Sequence, residues 1–118
     1  MSREEGQWGE ALAADYLRGH GYQLLAHGYR CRFGEIDLIA RSREGILCFV
    51  EVKTRTNLTM GLPREYVTAS KQSKLKKTAL FYLADNGLDC FCRFDVAEVY
   101  AENGRENARI EYLEDAFQ

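Results

Sequence analysis

Asp37 and the pair Glu51-x-Lys53 are residues whose type and spacing could do chemistry in this chain. They stand at the ends of two short apolar runs, Glu35-Ile36-Asp37-Leu38-Ile39-Ala40 and Ile46-Leu47-Cys48-Phe49-Val50-Glu51-Val52-Lys53, joined by Arg41-Ser42-Arg43-Glu44-Gly45. Charges packed onto strands that are otherwise nearly all apolar are costly unless they pair or bind a cation. Two chemistries meet that demand. In one, Lys53 makes a structural ion pair with Glu51 or Asp37 at an exposed strand end. In the other, Asp37 and Glu51 hold a hard divalent cation such as Mg²⁺ through oxygen, and Lys53 faces a phosphate and an attacking water.

The elements that would position these groups follow from periodicity. Both runs are rich in β-branched and aromatic residues, which predicts a hairpin with a Gly-ended loop. Alternation puts Glu35, Asp37 and Ile39 on one face, and Leu47, Phe49, Glu51 and Lys53 on one face of the partner strand. A register pairing Ala40 with Ile46 brings both polar sets to the same side, with Asp37 and Glu51 as diagonal neighbours. Residues 4–18 contain no proline and no β-branched residue, and read as a first helix that stops at Gly19-His20-Gly21. Trp8, Ala11, Leu12 and Tyr16 form its apolar stripe. Glu10 lies on another face with Gly6, Ala13, Ala14 and Leu17, whose small members admit a sheet or a phosphate backbone closely. By spacing alone it is a solvated glutamate or a site acid.

Residues 22–30 read as the first strand, with Arg30 and Arg32 flanking the site-bearing strand, either exposed or on phosphate. Residues 56–63 hold the only proline and read as a rim loop. A second helix is expected from Thr68 or Ser70, either able to cap, to Asp85, before Asn86-Gly87. Its buried side is Val67, Leu75, Ala79, Tyr82 and Leu83, with Lys71, Lys74 and Thr78 on another. Two last strands, 90–100 and 107–113, are joined through Glu102-Asn103-Gly104-Arg105, where Asn-Gly signals a turn. They read as scaffold, and Asp95 as structural.

The order α-β-β-β-α-β-β predicts an α/β fold with a mixed central sheet flanked by helices. A chain of 118 residues, 46% hydrophobic, suits one domain over 1–118. No apolar run approaches the roughly 20 residues that cross a bilayer, and the first residues lack a signal-peptide apolar region, so a cytoplasmic protein with no membrane partner is expected. The four cysteines, Cys31, Cys48, Cys90 and Cys92, form no zinc spacing with one another or with His20 and His27, and read as packed free thiols. The net charge of −2 is unevenly spread: residues 1–84 carry 13 basic and 9 acidic side chains, residues 85–118 carry 3 and 9. Arg64, Lys71, Lys74, Lys76 and Lys77, against Glu65 alone, make either a phosphate-facing strip or a solvated helix face.

An acidic residue on one strand followed by (Asp/Glu)-x-Lys on the next resembles the PD-(D/E)xK nuclease superfamily, with Ile36 where the superfamily name has proline. More narrowly, GEIDLIA followed by FVEVKTR, after a Gly- and Glu-containing first helix, is similar to the bacterial YraN-like family of predicted endonucleases, thought related to archaeal Holliday junction resolvases. The likeness runs from residue 9 to about 83 and more weakly to 117. It implies a restriction-endonuclease-like core and a Mg²⁺- or Mn²⁺-dependent endonuclease acting on DNA. The cation would be held by Asp37, Glu51, the main-chain carbonyl of Val52 and Glu10, the last directly or through water. Lys53 would serve as base or as electrostatic stabiliser. Lys71, matching a lysine of that family, would contact nucleic acid along with Lys74 and Arg55. Glu35 completes a second metal site or pairs with an arginine. The resolvases act as dimers on four-way junctions, so a homodimer and a branched substrate are implied. The rival reading is a nucleic-acid-binding or assembly module that keeps the fold and cuts nothing, and RNA remains an alternative substrate.

Overall fold

The strand with the longest apolar run is also the most enclosed. Leu47, Cys48, Phe49, Val50 and Val52 are all buried in β3 (Leu47–Arg55), the middle strand of a five-stranded sheet ordered β1-β2-β3-β4-β5. The other elements of this computed structural model are α1 (Arg3–Gly19), β1 (Gln23–Cys31), β2 (Gly34–Arg41), α2 (Ala69–Asp85), β4 (Cys92–Tyr100) and β5 (Arg109–Phe117). It describes residues 3–55, 68–101 and 103–117, and side chains from residue 6 onward. The expected rim loop, Arg64, Glu65, Val67 and Glu102 therefore lie outside the described residues. β3 pairs with β4 in parallel, and every other neighbouring pair is antiparallel. A parallel neighbour needs a long crossover, and α2 lies within it.

A strand buried on both faces needs two covers. One core joins Ala13, Ala14 and Leu17 of α1 to Leu38, Ala40, Cys48, Val50, Val52, Ala97 and Val99. The other joins Leu75, Ala79 and Tyr82 of α2 to Ile36, Ile39, Leu47, Phe49 and Val96. The mixed sheet between two helices is the architecture expected from the element order. The helix ends agree too. Thr68 caps α2, its Oγ1 accepting from the Lys71 amide at 3.2 Å. Both helices close with the paired bonds of a Schellman motif. Gly21 and Gly87 take the left-handed conformation, and the Tyr22 and Leu88 amides reach back to Leu17 and Leu83.

Five expectations need correction. Ala40 pairs with Cys48, not Ile46. The Ser42 amide donates to the Ile46 carbonyl at 2.9 Å and the Ser42 hydroxyl accepts from the Ile46 amide at 3.1 Å, so the turn keeps Ile46 inside it. The slip is two positions, which preserves the faces. In α1 the sheet is met by Gly9, Ala13, Ala14 and Leu17, because their small side chains let the helix approach, while Trp8, Leu12 and Tyr16 pack only partly buried and Ala11 is exposed. Thr78 is fully buried and donates to the Lys74 carbonyl at 2.8 Å. Cys90 and Cys92 are exposed, since β4 begins only at Cys92; Cys48 is buried as expected. β5 extends to Phe117 because buried Asp95 accepts from the Asp115 amide at 2.9 Å and the Tyr112 hydroxyl at 2.5 Å, anchoring a bulge. With Arg93 at 3.0 Å as its ion-pair partner, Asp95 is structural, as the sequence suggested.

Candidate active site

The sheet forks where the candidate residues begin. Pairing of β2 with β3 ends at Leu38↔Val50, yet β2 stays with β1 as far as Cys31↔Gly34, and β3 stays with β4 as far as Arg55↔Tyr100. A change of face in β2 accompanies the fork. Ile36 packs with the α2 core and Leu38 with the α1 core, although alternation would put them on one side. Between the pairs His27↔Leu38 and Tyr29↔Ile36 the ladder steps across Gly28 and Asp37, and Gly28 has φ +74°. A glycine in this left-handed conformation lets the two strands turn over together.

Asp37 sits in the fork, one step beyond the last β2–β3 pair and across from Glu51 rather than diagonal to it. Its Oδ2 accepts from the Val52 amide at 2.8 Å, in place of a backbone partner. Burial pushes the Asp37 carboxyl up to about 8, and the charge of Glu51 adds to this, as does that of Glu10; the Val52 amide opposes. Two carboxyl groups confined together cannot both ionise cheaply.

Each helix sends one charged side chain to the fork. Gly9 is pressed so closely on β3 that a Cβ there would stand 1.8 Å from Thr54 Oγ1. That contact brings the adjacent Glu10 over the strands, with its Oε1 3.2 Å from His27 Nε2 on β1. Burial raises the Glu10 pKa; His27 works against this, and Glu35 and Glu51 with it. On the other side, the first turn of α2 carries Lys71, whose Nζ lies 3.1 Å from Glu51 Oε1. Burial acts to lower the Lys71 pKa, but Glu51, the contact with Lys53 and the charge of Asp37 together outweigh it and the net shift is upward. Lys53 goes the other way, lowered by burial and by the neighbouring Lys71 ammonium. The two lysines thus divide: one is held as a cation, the other is eased toward neutrality.

Glu10, Asp37, Glu51, Val52 and Lys53 are therefore brought together, and Lys71, expected on substrate phosphate, stands among them on Glu51. Glu35 pairs with Arg30 at 2.7 Å. Lys74 is exposed. Arg55 is buried, at 6% exposure, and offers no solvent-facing cation. A cleft of about 410 Å³ lined by Gly34, Glu35, Thr68, Ser70, Lys71, Lys74 and Leu75 opens beside the fork. The oxygen donors suit a hard cation. Their spacing does not yet close on one: among the described residues, no three His, Cys, Asp or Glu side chains are grouped so as to hold a metal ion. Sequence reasoning missed His27. Its one signal was the glycine after it, in mid-strand, which marks a bend.

A family model described as uncharacterised protein family UPF0102 matches residues 9–99. The chain belongs to that family. UPF0102 relatives align along nearly the whole chain. One from Trichlorobacter lovleyi is 45% identical over 95% of this chain and 88% of its own length. Another from Caldicellulosiruptor bescii is 43% identical over 98% of both chains, and one from Lachnoclostridium phytofermentans is 50% identical over 86% of both. The family reached through GEIDLIA and FVEVKTR is thus supported along the chain. Among solved structures, SfsA of Pyrococcus furiosus in complex with Ca²⁺ aligns over 95% of this UPF0102 chain at 15% identity and a TM-score of 0.38. The chain spans 63% of that structure's length. No helix among the described residues is long and apolar enough to cross a membrane.

Proposed function

We propose that this protein is a divalent-metal-dependent phosphodiesterase acting on DNA, with the sheet fork as its active site. The observation that carries the reading is the convergence of Asp37, Glu51 and Glu10 on the fork, where burial, and after it the charges of Glu51 and Glu10, raise the Asp37 pKa to about 8. A bound cation would offset both causes. Asp37, Glu51 and the Val52 carbonyl would hold Mg²⁺ or Mn²⁺, with Glu10 joining directly or through water. Amide and carbonyl of one strand residue point to the same side, so the Val52 carbonyl shares the direction of the amide that Asp37 already bonds. A cation bound there supplies Lewis acidity to the phosphate and a more acidic water.

The chain's own residues do the rest. Lys53, its pKa lowered by burial and by Lys71, would stand more often than a free lysine in the neutral form that can take a proton from the attacking water, and when protonated it would offset charge developing on phosphorus. Lys71 keeps its charge, and leaving Glu51 would free it for the substrate phosphate. His27 holds the Glu10 carboxylate over the fork. The rival reading, a binding module that cuts nothing, draws on the Lys71–Glu51 pair and on the open spacing of the acids.

Cleavage assays on duplex, nicked, flapped and four-way DNA, with Mg²⁺, Mn²⁺ or EDTA, separate the two. The expected result is cleavage with metal, none with EDTA, and a loss of at least a hundredfold in Asp37→Asn, or roughly 3 kcal/mol of barrier. Equal cleavage by wild type and Asp37→Asn, or none on any substrate, would refute the proposal.

A further inference from the structure

The turn between β1 and β2 has the wrong residues for a turn. Cys31 pairs with Gly34, which leaves Arg32-Phe33 as a two-residue loop, where Asn-Gly, Asp-Gly or Gly-x is favoured. Phe33 is 37% exposed, and its neighbour Phe81 on α2 is 39% exposed. Their rings meet edge to face at 6.2 Å, and the Arg32 guanidinium stands 4.9 Å above Phe33. The tip is held firmly. Gly34 lies so close to α2 that a Cβ there would meet Thr78 Oγ1 at 3.3 Å, and the Phe33 amide bonds to Cys31 Sγ at 3.4 Å.

This aromatic tip connects to the fork. A second cleft of about 450 Å³, lined by Arg30, Cys31, Arg32, Phe33, Gly34, Glu35 and Lys74, shares Gly34, Glu35 and Lys74 with the cleft that reaches Lys71. The two form one trough from the first turn of α2 to the β1–β2 tip. Among the described residues its cations are Lys71, Lys74, Arg30 and Arg32; Lys71 pairs with Glu51 and Arg30 with the trough's acid Glu35, at 2.7 Å, so the net positive charge lies on Lys74 and Arg32. A cationic path ending on a rigid, exposed ring beneath a guanidinium is how proteins hold unpaired nucleic acid: phosphates track the charge and a base stacks on the ring. A base inside a duplex has both faces covered by its neighbours and cannot stack there.

We infer that the trough binds an unpaired DNA strand leaving the fork, with a base stacked on Phe33 and phosphates on Lys74 and Arg32. The inference rests on the phosphodiesterase reading and sharpens it: the substrate has a single-stranded arm.

Binding in EDTA, read by fluorescence anisotropy, tests it with a labelled oligo(dT), a forked duplex, a blunt duplex and oligo(rU). Phe33→Ala should weaken oligo(dT) and the fork about tenfold and leave the blunt duplex within twofold, while Phe33→Tyr should bind like wild type. In Phe33→Trp, oligo(dT) should quench the new indole and the blunt duplex should not. Unchanged oligo(dT) affinity in Phe33→Ala overturns the trough, and metal-dependent cleavage by that variant would leave the phosphodiesterase standing. Phe33-dependent binding without cleavage by wild type has the opposite meaning. Tighter binding of oligo(rU) than oligo(dT) overturns the assignment to DNA. So does a wild-type dimer that Phe33→Ala makes monomeric with no change in DNA affinity, because the ring then serves a second copy of the chain.

Discussion

Asp37 is the residue on which the account turns, and its titration has a definite sign. Its folded pKa of about 8 lies above that of an unfolded aspartate, about 3.9. Protonation therefore stabilises the fold: the contribution is complete below the unfolded value and is lost as pH rises through about 8. Asp37→Asn keeps the shape and removes the charge. In metal-free protein, its stability advantage over wild type should widen by about 1–3 kcal/mol between pH 5 and pH 8.5. Urea titrations at the two pH values measure this, and a variant less stable than wild type at pH 8.5 would mean that Asp37 serves a structural pair. Lys71 gives a second test at this scale. It sits on Glu51 where a cation would compete, so Lys71→Ala should tighten Mn²⁺ binding about fivefold by calorimetry, equivalent to roughly 1 kcal/mol. Weaker binding would show that Lys71 supports the site rather than occupying it.

At the scale of elements, the fork exists because α1 and α2 press on opposite sides of strands that have parted. The contact of Gly9 with Thr54 sets the height of α1. Alanine is worth about 1 kcal/mol over glycine inside a helix, yet here its methyl would collide with the strand. Gly9→Ala should destabilise by about 1–3 kcal/mol. In a Thr54→Ala background the same change should become neutral or favourable, a reversal that denaturant unfolding would detect. A cost unchanged by Thr54→Ala would place the strain elsewhere. The helices and strands were legible beforehand because their signals are local: period-two runs, Thr68 before α2, glycines after both helices. The fork was not. Nothing in a strand's alternation says that its neighbour leaves, and the two-position slip at Ser42–Ile46 depended on hydrogen bonds of one hydroxyl. Asp37, Glu51 and Lys53 were visible because charge in an apolar strand demands a partner. His27 was not, since its contact with Glu10 joins β1 to α1 across a bend that only Gly28 betrays. Lys71 was placed on its helix and expected on substrate phosphate, and its pairing with Glu51 was not foreseen, because sequence gives a side chain's face and not its reach.

At the scale of the whole molecule, the sheet and the two α-helices packed on it among the described residues hold a few charges at an opening. An arrangement that repels itself in the absence of metal should be stabilised by whatever ion it binds. Thermal melting of wild type and Asp37→Asn, each with and without Mg²⁺ or Mn²⁺, is the most direct measure of that. Wild type should melt several degrees higher with metal, since a ligand at a hundred times its Kd adds about 2.7 kcal/mol to stability. Asp37→Asn should start above metal-free wild type and move little. The contradicting result is an Asp37→Asn protein that melts below a wild type indifferent to both ions, which would make the fork an ion-paired scaffold and not a metal-dependent active site.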